Sequence, residues 1–202
     1  MKKKPVLIAA GALACALVFV GCSAAKNNTD TTGNTETAGE TTTTAPAPAN
    51  STAPSASGQL NKGNPSPDFT LTDMNGNTVT LADFKGKKVS IKFWASWCSV
   101  CKETLPESST LADDTSKDFE YISIVAPGVS DEMSEEKFKE WYASRKYNHM
   151  PVYFDKDGTF MRTLGVRAFP STATIGNDGI MVHFQVGHVS SDILKEAMSK
   201  IK

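Results

Sequence analysis

Lys92-Phe93-Trp94-Ala95-Ser96-Trp97-Cys98-Ser99-Val100-Cys101 is the stretch on which the reading of the whole chain turns. The run from Val89 to Trp94 is β-branched and aromatic and too short for a helix, so it predicts a buried strand. After it, Leu105 and Leu111 recur among Lys102, Glu103 and Glu107 at roughly helical spacing. That predicts a helix from about Cys98 to Thr115, kinked at Pro106. Two cysteines three apart at a helix start can close a small disulfide ring. Cys98 falls where unpaired backbone N–H groups and the helix dipole favour an anion. Such a place lowers a thiol pKa and creates a thiolate nucleophile, so the stretch proposes thiol–disulfide chemistry.

Toward the N-terminus, Lys2-Lys3-Lys4 precedes an apolar segment from Pro5 to Val20. This is a charged region followed by an apolar one too short for a spanning helix. Phe19-Val20-Gly21-Cys22, followed by Ser23-Ala24, resembles a bacterial lipoprotein signal. The resemblance implies a leader over residues 1–21 and a lipid on Cys22; the alternative is an uncleaved anchor. Either puts the rest of the chain outside the cytoplasmic membrane, where disulfides persist. Residues 22–62 are rich in Thr, Ala, Ser, Asn, Gly and Pro, and no aromatic residue lies between Val20 and Asp68. Such a segment cannot bury enough apolar surface to order itself, and its expected r.m.s. span as a tether is roughly 35 Å. The folded domain is expected over residues 63–202.

The chain has four cysteines. Cys15 would leave with the leader and Cys22 would carry lipid, so Cys98 and Cys101 remain as the thiol pair. Two cysteines are too few for a disulfide scaffold, which a domain of this length does not need. They are also too few for a zinc site, and His149, His183 and His188 lack ligand spacing to them. No metal or cofactor is expected, and the histidines read as solvated or core-edge residues. From Gly63 onward there are 16 Lys/Arg against 19 Asp/Glu, without a basic patch, so no nucleic-acid partner is expected. Asp131-Glu132 and Glu135-Glu136 read as the polar face and acidic first turn of a helix.

The remaining elements follow in order. Phe69–Leu71 and Thr78–Leu81 flank Asn75-Gly76 and predict a hairpin. Phe119–Val125 predicts a strand. Ser134 opens a helix to about Lys146 with Phe138, Trp141 and Tyr142 on one face. Val152–Phe154 is a short strand and Phe160–Leu164 a short helix. Ser171–Ile175 and Ile180–Val186 form a hairpin around Asn177-Asp178-Gly179, and Asp192–Ile201 is a terminal helix. The order predicts an α/β fold: a central mixed sheet flanked by helices, with an added N-terminal hairpin.

Trp94-Ala-Ser-Trp97-Cys98-Ser-Val-Cys101, with Phe169-Pro170-Ser171-Thr172 before the final hairpin, resembles the thioredoxin superfamily. Pro67-Asp-Phe-Thr-Leu, Asn75-Gly76 and Leu81-Ala-Asp-Phe84 narrow this to the TlpA/ResA-like extracytoplasmic redoxins. The likeness spans about residues 65–202. It implies a thioredoxin-like fold and thiol–disulfide oxidoreductase activity. Cys98, exposed, would attack, and Cys101 would resolve the mixed disulfide. Trp94 and Trp97 would pack around the pair. Phe169–Pro170 would be a cis bond, and Trp97, Phe169 and Pro170 would meet the client. With Ser-Val between the cysteines, the chain looks close to Gram-positive surface redoxins that serve methionine sulfoxide reductases. That implies a lipid-anchored monomeric reductant on the outer face of the membrane, supplied by a CcdA-type carrier and acting on disulfide-bearing clients.

Two positions depart from the family pattern. Where many relatives carry a glutamate three residues after the second cysteine, this chain has Thr104. Where thioredoxins carry a buried acid, it has Lys92, which would favour a thiolate at Cys98 or Cys101, or else extend to solvent. The rival functions are a disulfide oxidase or isomerase, a peroxidase, and a non-catalytic surface lipoprotein.

Overall fold

The computed structural model describes residues 60–202, and β4 (Val89–Phe93) lies at the heart of its single sheet. The leader, Cys22 and the tether up to residue 59 lie outside these residues. β4 is buried along its whole length, as a central strand covered on both faces must be. It pairs in parallel with β5 (Glu120–Val125) and antiparallel with β7 (Ser171–Ile175). β5 continues in parallel to β6 (Val152–Phe154), and β7 turns back antiparallel into β8 (Ile180–Val186). The predicted N-terminal hairpin is β2 (Thr70–Asp73) and β3 (Thr78–Thr80), with β2 joined to β6. One strand was not legible: β1 (Asn64–Pro65) pairs with β8 and completes an eight-stranded sheet of order β1-β8-β7-β4-β5-β6-β2-β3.

Period-two alternation sends the side chains of β4 to opposite faces. Val89, Ile91 and Phe93 join Ile122, Ile124, Ala173 and Ile175 in one apolar layer. It is covered by the hairpin residues Phe69 and Leu71 and by Phe160 and Met161 of α4 (Thr159–Thr163). The opposite face holds Ser90, Lys92, Ser123, Thr172 and Thr174, all buried. This polar centre is flanked by an apolar cluster that includes Phe138 and Tyr142 of α3 (Glu135–Ala143) and Leu194 and Met198 of α5 (Ser191–Ser199).

The single kinked helix expected after the cysteines is two helices, α1 (Ser99–Glu103) and α2 (Leu105–Asp113), joined at Thr104. Pro106 has no N–H to offer the Lys102 carbonyl and its ring would crowd it, so the ladder breaks rather than bends. The fold also reaches further back than composition suggested. The Leu60 and Asn61 backbone amides donate to Asp178 Oδ2 at 2.7 and 2.9 Å, and the Asn61 side chain donates to the Lys202 carbonyl. No helix among the described residues is long and apolar enough to cross a membrane.

Candidate active site

At the end of β4 the chain turns through Ala95-Ser96-Trp97 and enters α1 with Cys98 as its N-cap residue. Cys98 and Cys101 form a disulfide with their Cα atoms 5.2 Å apart. The Cys101 N–H donates to Cys98 Sγ at 3.1 Å, so the sulfur occupies the place of a capping acceptor. Once the pair is reduced, that N–H and the open end of α1 favour negative charge on Cys98. Cys101 is fully buried. Cys98 is only 6% exposed, which corrects the expectation of an exposed attacking sulfur: it packs in the apolar cluster with Trp94, Ala95 and Leu105. What the surface presents instead is Trp97, 49% exposed, and Val100, 43% exposed.

The two tryptophans separate. Trp94 is wholly buried against Phe138, Trp141 and Tyr142, with ring centroids 5.5 to 6.2 Å away. Trp97 lies edge-on to Phe169 at 5.8 Å, which joins the dithiol turn to the loop before β7. In that loop the Phe169–Pro170 bond is cis, and the register sets Ser171 opposite Phe93. Pro170 therefore sits beside the end of β4, and its carbonyl accepts from the Gly187 N–H at 2.8 Å.

Lys92 lies beneath the junction of α1 and α2, 4% exposed, so its ammonium does not reach solvent. Its Nζ donates to Thr104 Oγ1 at 3.1 Å and to Ser108 Oγ at 2.6 Å. Burial lowers its pKa to about 8, against the opposing pull of the Glu107 carboxylate. Thr104 Oγ1 in turn lies 2.9 Å from the Val100 carbonyl and 3.1 Å from that of Cys101. Ser108 Oγ also receives the Tyr121 hydroxyl at 3.3 Å, and burial pushes that phenol up to about 12. Glu107 acts on Lys92 and Tyr121 through its charge alone; its own partners are the Ser191 N–H, from which it accepts at 2.6 Å, and His188 Nε2, with which it pairs at 2.9 Å. Burial pushes the Glu107 carboxyl up, but the Ser191 N–H and His188 outweigh it and hold the group below its ordinary value.

One residue at this site escaped the sequence reading. Asp131 and Glu132 do not belong to a helix, because α3 starts at Glu135. Ser130 and Asp131 take left-handed φ values of 50° and 63°, and Glu132 turns inward, 6% exposed. Its carboxylate accepts from Ser96 N–H at 2.6 Å, Ser96 Oγ–H at 2.5 Å and Met133 N–H at 2.9 Å. Only the proximity of a charged pair to a turn signal, Ala126-Pro127-Gly128, hinted at this.

Among the described residues no group of histidine, cysteine and acidic side chains could hold a metal ion. Sheet and dithiol together define a class, the thioredoxin-like thiol–disulfide oxidoreductases. Residues 61–198 match the Redoxin family, and the chain belongs to it. The thiol-disulfide oxidoreductase ResA of Bacillus thuringiensis is 31% identical over 140 residues, covering 69% of this chain and 78% of the relative. The exposed lipoprotein thioredoxin Etrx1 of Streptococcus pneumoniae is 38% identical, with a TM-score of 0.63 over 67% of this chain and all of that one. The N-terminal domain of PilB from Neisseria gonorrhoeae is 28% identical, with a TM-score of 0.57 over 64% of this chain and 86% of that one. The protein is a thiol–disulfide oxidoreductase with the Cys98–Cys101 pair.

Proposed function

We propose that this oxidoreductase works as a reductant outside the cytoplasmic membrane, tethered through a lipid on Cys22 and residues 22–62. The observation that carries the reactive part is Cys98 Sγ held as the cap of α1 by the Cys101 N–H. In the reduced protein the Cys98 thiolate attacks one sulfur of a client disulfide, and the other client sulfur leaves as a thiolate and takes a proton from water. Cys101 loses its proton and attacks Cys98 Sγ, which releases the second client thiol and leaves the Cys98–Cys101 disulfide. Two electrons pass to the client, and a membrane dithiol carrier of the CcdA type returns two. Trp97, Phe169 and Pro170 receive the client segment, and Lys92 favours the thiolate form of the pair. The leading client is an oxidised methionine sulfoxide reductase, by analogy with surface redoxins of similar sequence.

The test is the reduction potential of the Cys98–Cys101 couple, equilibrated against glutathione or dithiothreitol, followed by trapping with Cys101→Ser. A value near about −270 mV and a sulfoxide reductase among the trapped clients support the reading. A value above about −180 mV would assign the protein to disulfide formation or isomerisation instead.

A further inference from the structure

We infer that Glu132 is a positioning residue for the dithiol, acting through Ser96. The inference rests on the thiol–disulfide activity and not on the proposed client or donor. A buried carboxylate is tolerated only where donors meet it, and here three do. Two of them, the N–H and the hydroxyl, belong to one residue, Ser96, which lies 36 positions away in sequence and two before Cys98. No ion pair among the described residues includes Glu132, so its charge is met by hydrogen bonds alone. The loop that delivers it holds two successive non-glycine residues in the left-handed region, an arrangement that persists only where its surroundings fix it. Part of that fixing is local: the Gly128 N–H lies 3.1 Å from the Glu132 carbonyl and 3.2 Å from that of Met133.

The clamp acts at the middle of the turn, adding to the packing of Ala95 and Cys98 and to the Cys98 N–H, which donates to the Ala95 carbonyl at 3.2 Å. α1 has only five residues, too few to be stable by itself, so the direction of its open N–H groups depends on the chain that enters it. Trp97, the residue between Ser96 and Cys98, is half exposed and supplies little anchoring by burial. Glu132 also lines, with Trp94, Ala95, Met161 and Phe169, a cavity of about 60 Å3. Glu132 therefore fixes Ser96, Ser96 fixes the Trp97–Cys98 step, and that step sets both the alignment of Cys98 with α1 and the contact of Trp97 with Phe169. Arg162 and Ser130 are the other polar residues that line this cavity.

The experiment compares wild type, Glu132→Gln and Ser96→Ala in the full-length protein. A glutamine offers one acceptor oxygen, and its amide nitrogen would face donors, so the clamp opens with little change of volume. The readouts are kcat/KM for insulin disulfide reduction driven by dithiothreitol, and the pH midpoint of Cys98 alkylation, resolved by peptide mass. Glu132→Gln is expected to lower kcat/KM about tenfold. It is also expected to raise the alkylation midpoint by about half a pH unit, as Cys98 loses its alignment with the helix end. Ser96→Ala keeps the charge, removes one donor, and should shift both readouts the same way by less. The sign decides, because simple loss of a nearby negative charge would move the midpoint down. An unchanged or lowered midpoint with unchanged kcat/KM, even with a lower melting temperature, would overturn the inference. If Glu132→Gln does not fold, Ser96→Ala carries the same test. A wild-type protein inert toward insulin would instead count against the activity on which the inference rests.

Discussion

Lys92 is a charge that the fold buries at a cost, and the cost can be measured. In the folded protein its pKa is about 8 against the ordinary 10.5. Below pH 8 both folded and unfolded chains carry the proton, and the folded state bears the full penalty of the buried ammonium. Between pH 8 and 10.5 the unfolded chain holds more protons than the folded one, so stability contributed at this site rises with pH. At about 1.4 kcal/mol for each pH unit of difference, the rise amounts to about 3 kcal/mol across that window. Lys92→Met removes the titration and keeps much of the volume. Neither hydroxyl is stranded by the change, since Thr104 Oγ1 keeps the Val100 carbonyl and Ser108 Oγ keeps the Tyr121 hydroxyl. The variant is therefore expected to be more stable than wild type at pH 7. Its advantage should shrink by about 3 kcal/mol as the pH approaches 10.5. The assay is urea unfolding of both oxidised proteins at half-unit steps of pH, and the intact disulfide keeps the two thiols out of the titration. A difference that stays flat from pH 7 to 10.5, or that widens, would refute the burial and the pKa argued from it.

In the reduced protein, Lys92→Gln removes a buried cation that reaches the Cys101 carbonyl through Thr104 and should raise the pH midpoint of thiol alkylation at Cys98 or Cys101; unchanged titrations of both would dismiss Lys92 as a tuning residue. Glu107→Gln should lose stability at pH 6 to 7, because the carboxylate is held below its ordinary 4.5 by the Ser191 N–H and His188. That gap should close as pH falls through the folded pKa and the carboxyl takes its proton, and thermal unfolding at pH 3 and pH 7 checks the sign. Ser90 Oγ and Thr174 Oγ1, opposite each other across β4 and β7, are buried without hydrogen-bond partners among the described residues. Thr174→Val should accordingly raise stability by about 1 kcal/mol in urea unfolding, and a loss would show that the hydroxyl is satisfied after all.

The legible parts of this chain were those where local chemistry and tertiary packing agree. Val89 to Trp94 predicted a buried strand, and the Asn75-Gly76 and Asp178-Gly179 turns announced their hairpins. The parts that were not legible depend on long-range partners. A two-residue strand at Asn64–Pro65 has no periodicity to reveal it, and it exists because β8 offers an edge. Glu132 looked like one charge among several because nothing near it in sequence says that Ser96 will come to meet it. Lys92 and Thr104 make the same point. Each was visible as a departure from the family pattern, a cation and a hydroxyl at places where relatives carry acids. What the sequence could not say is that the two departures touch, with Lys92 Nζ 3.1 Å from Thr104 Oγ1. They are therefore better treated as one change than as two. An acid at position 104 would draw the ammonium into a buried ion pair and raise its pKa, whereas a hydroxyl leaves it desolvated and low. The polar layer at the junction of α1 and α2 is thus built of hydroxyls around one buried ammonium, whose pKa burial lowers to about 8.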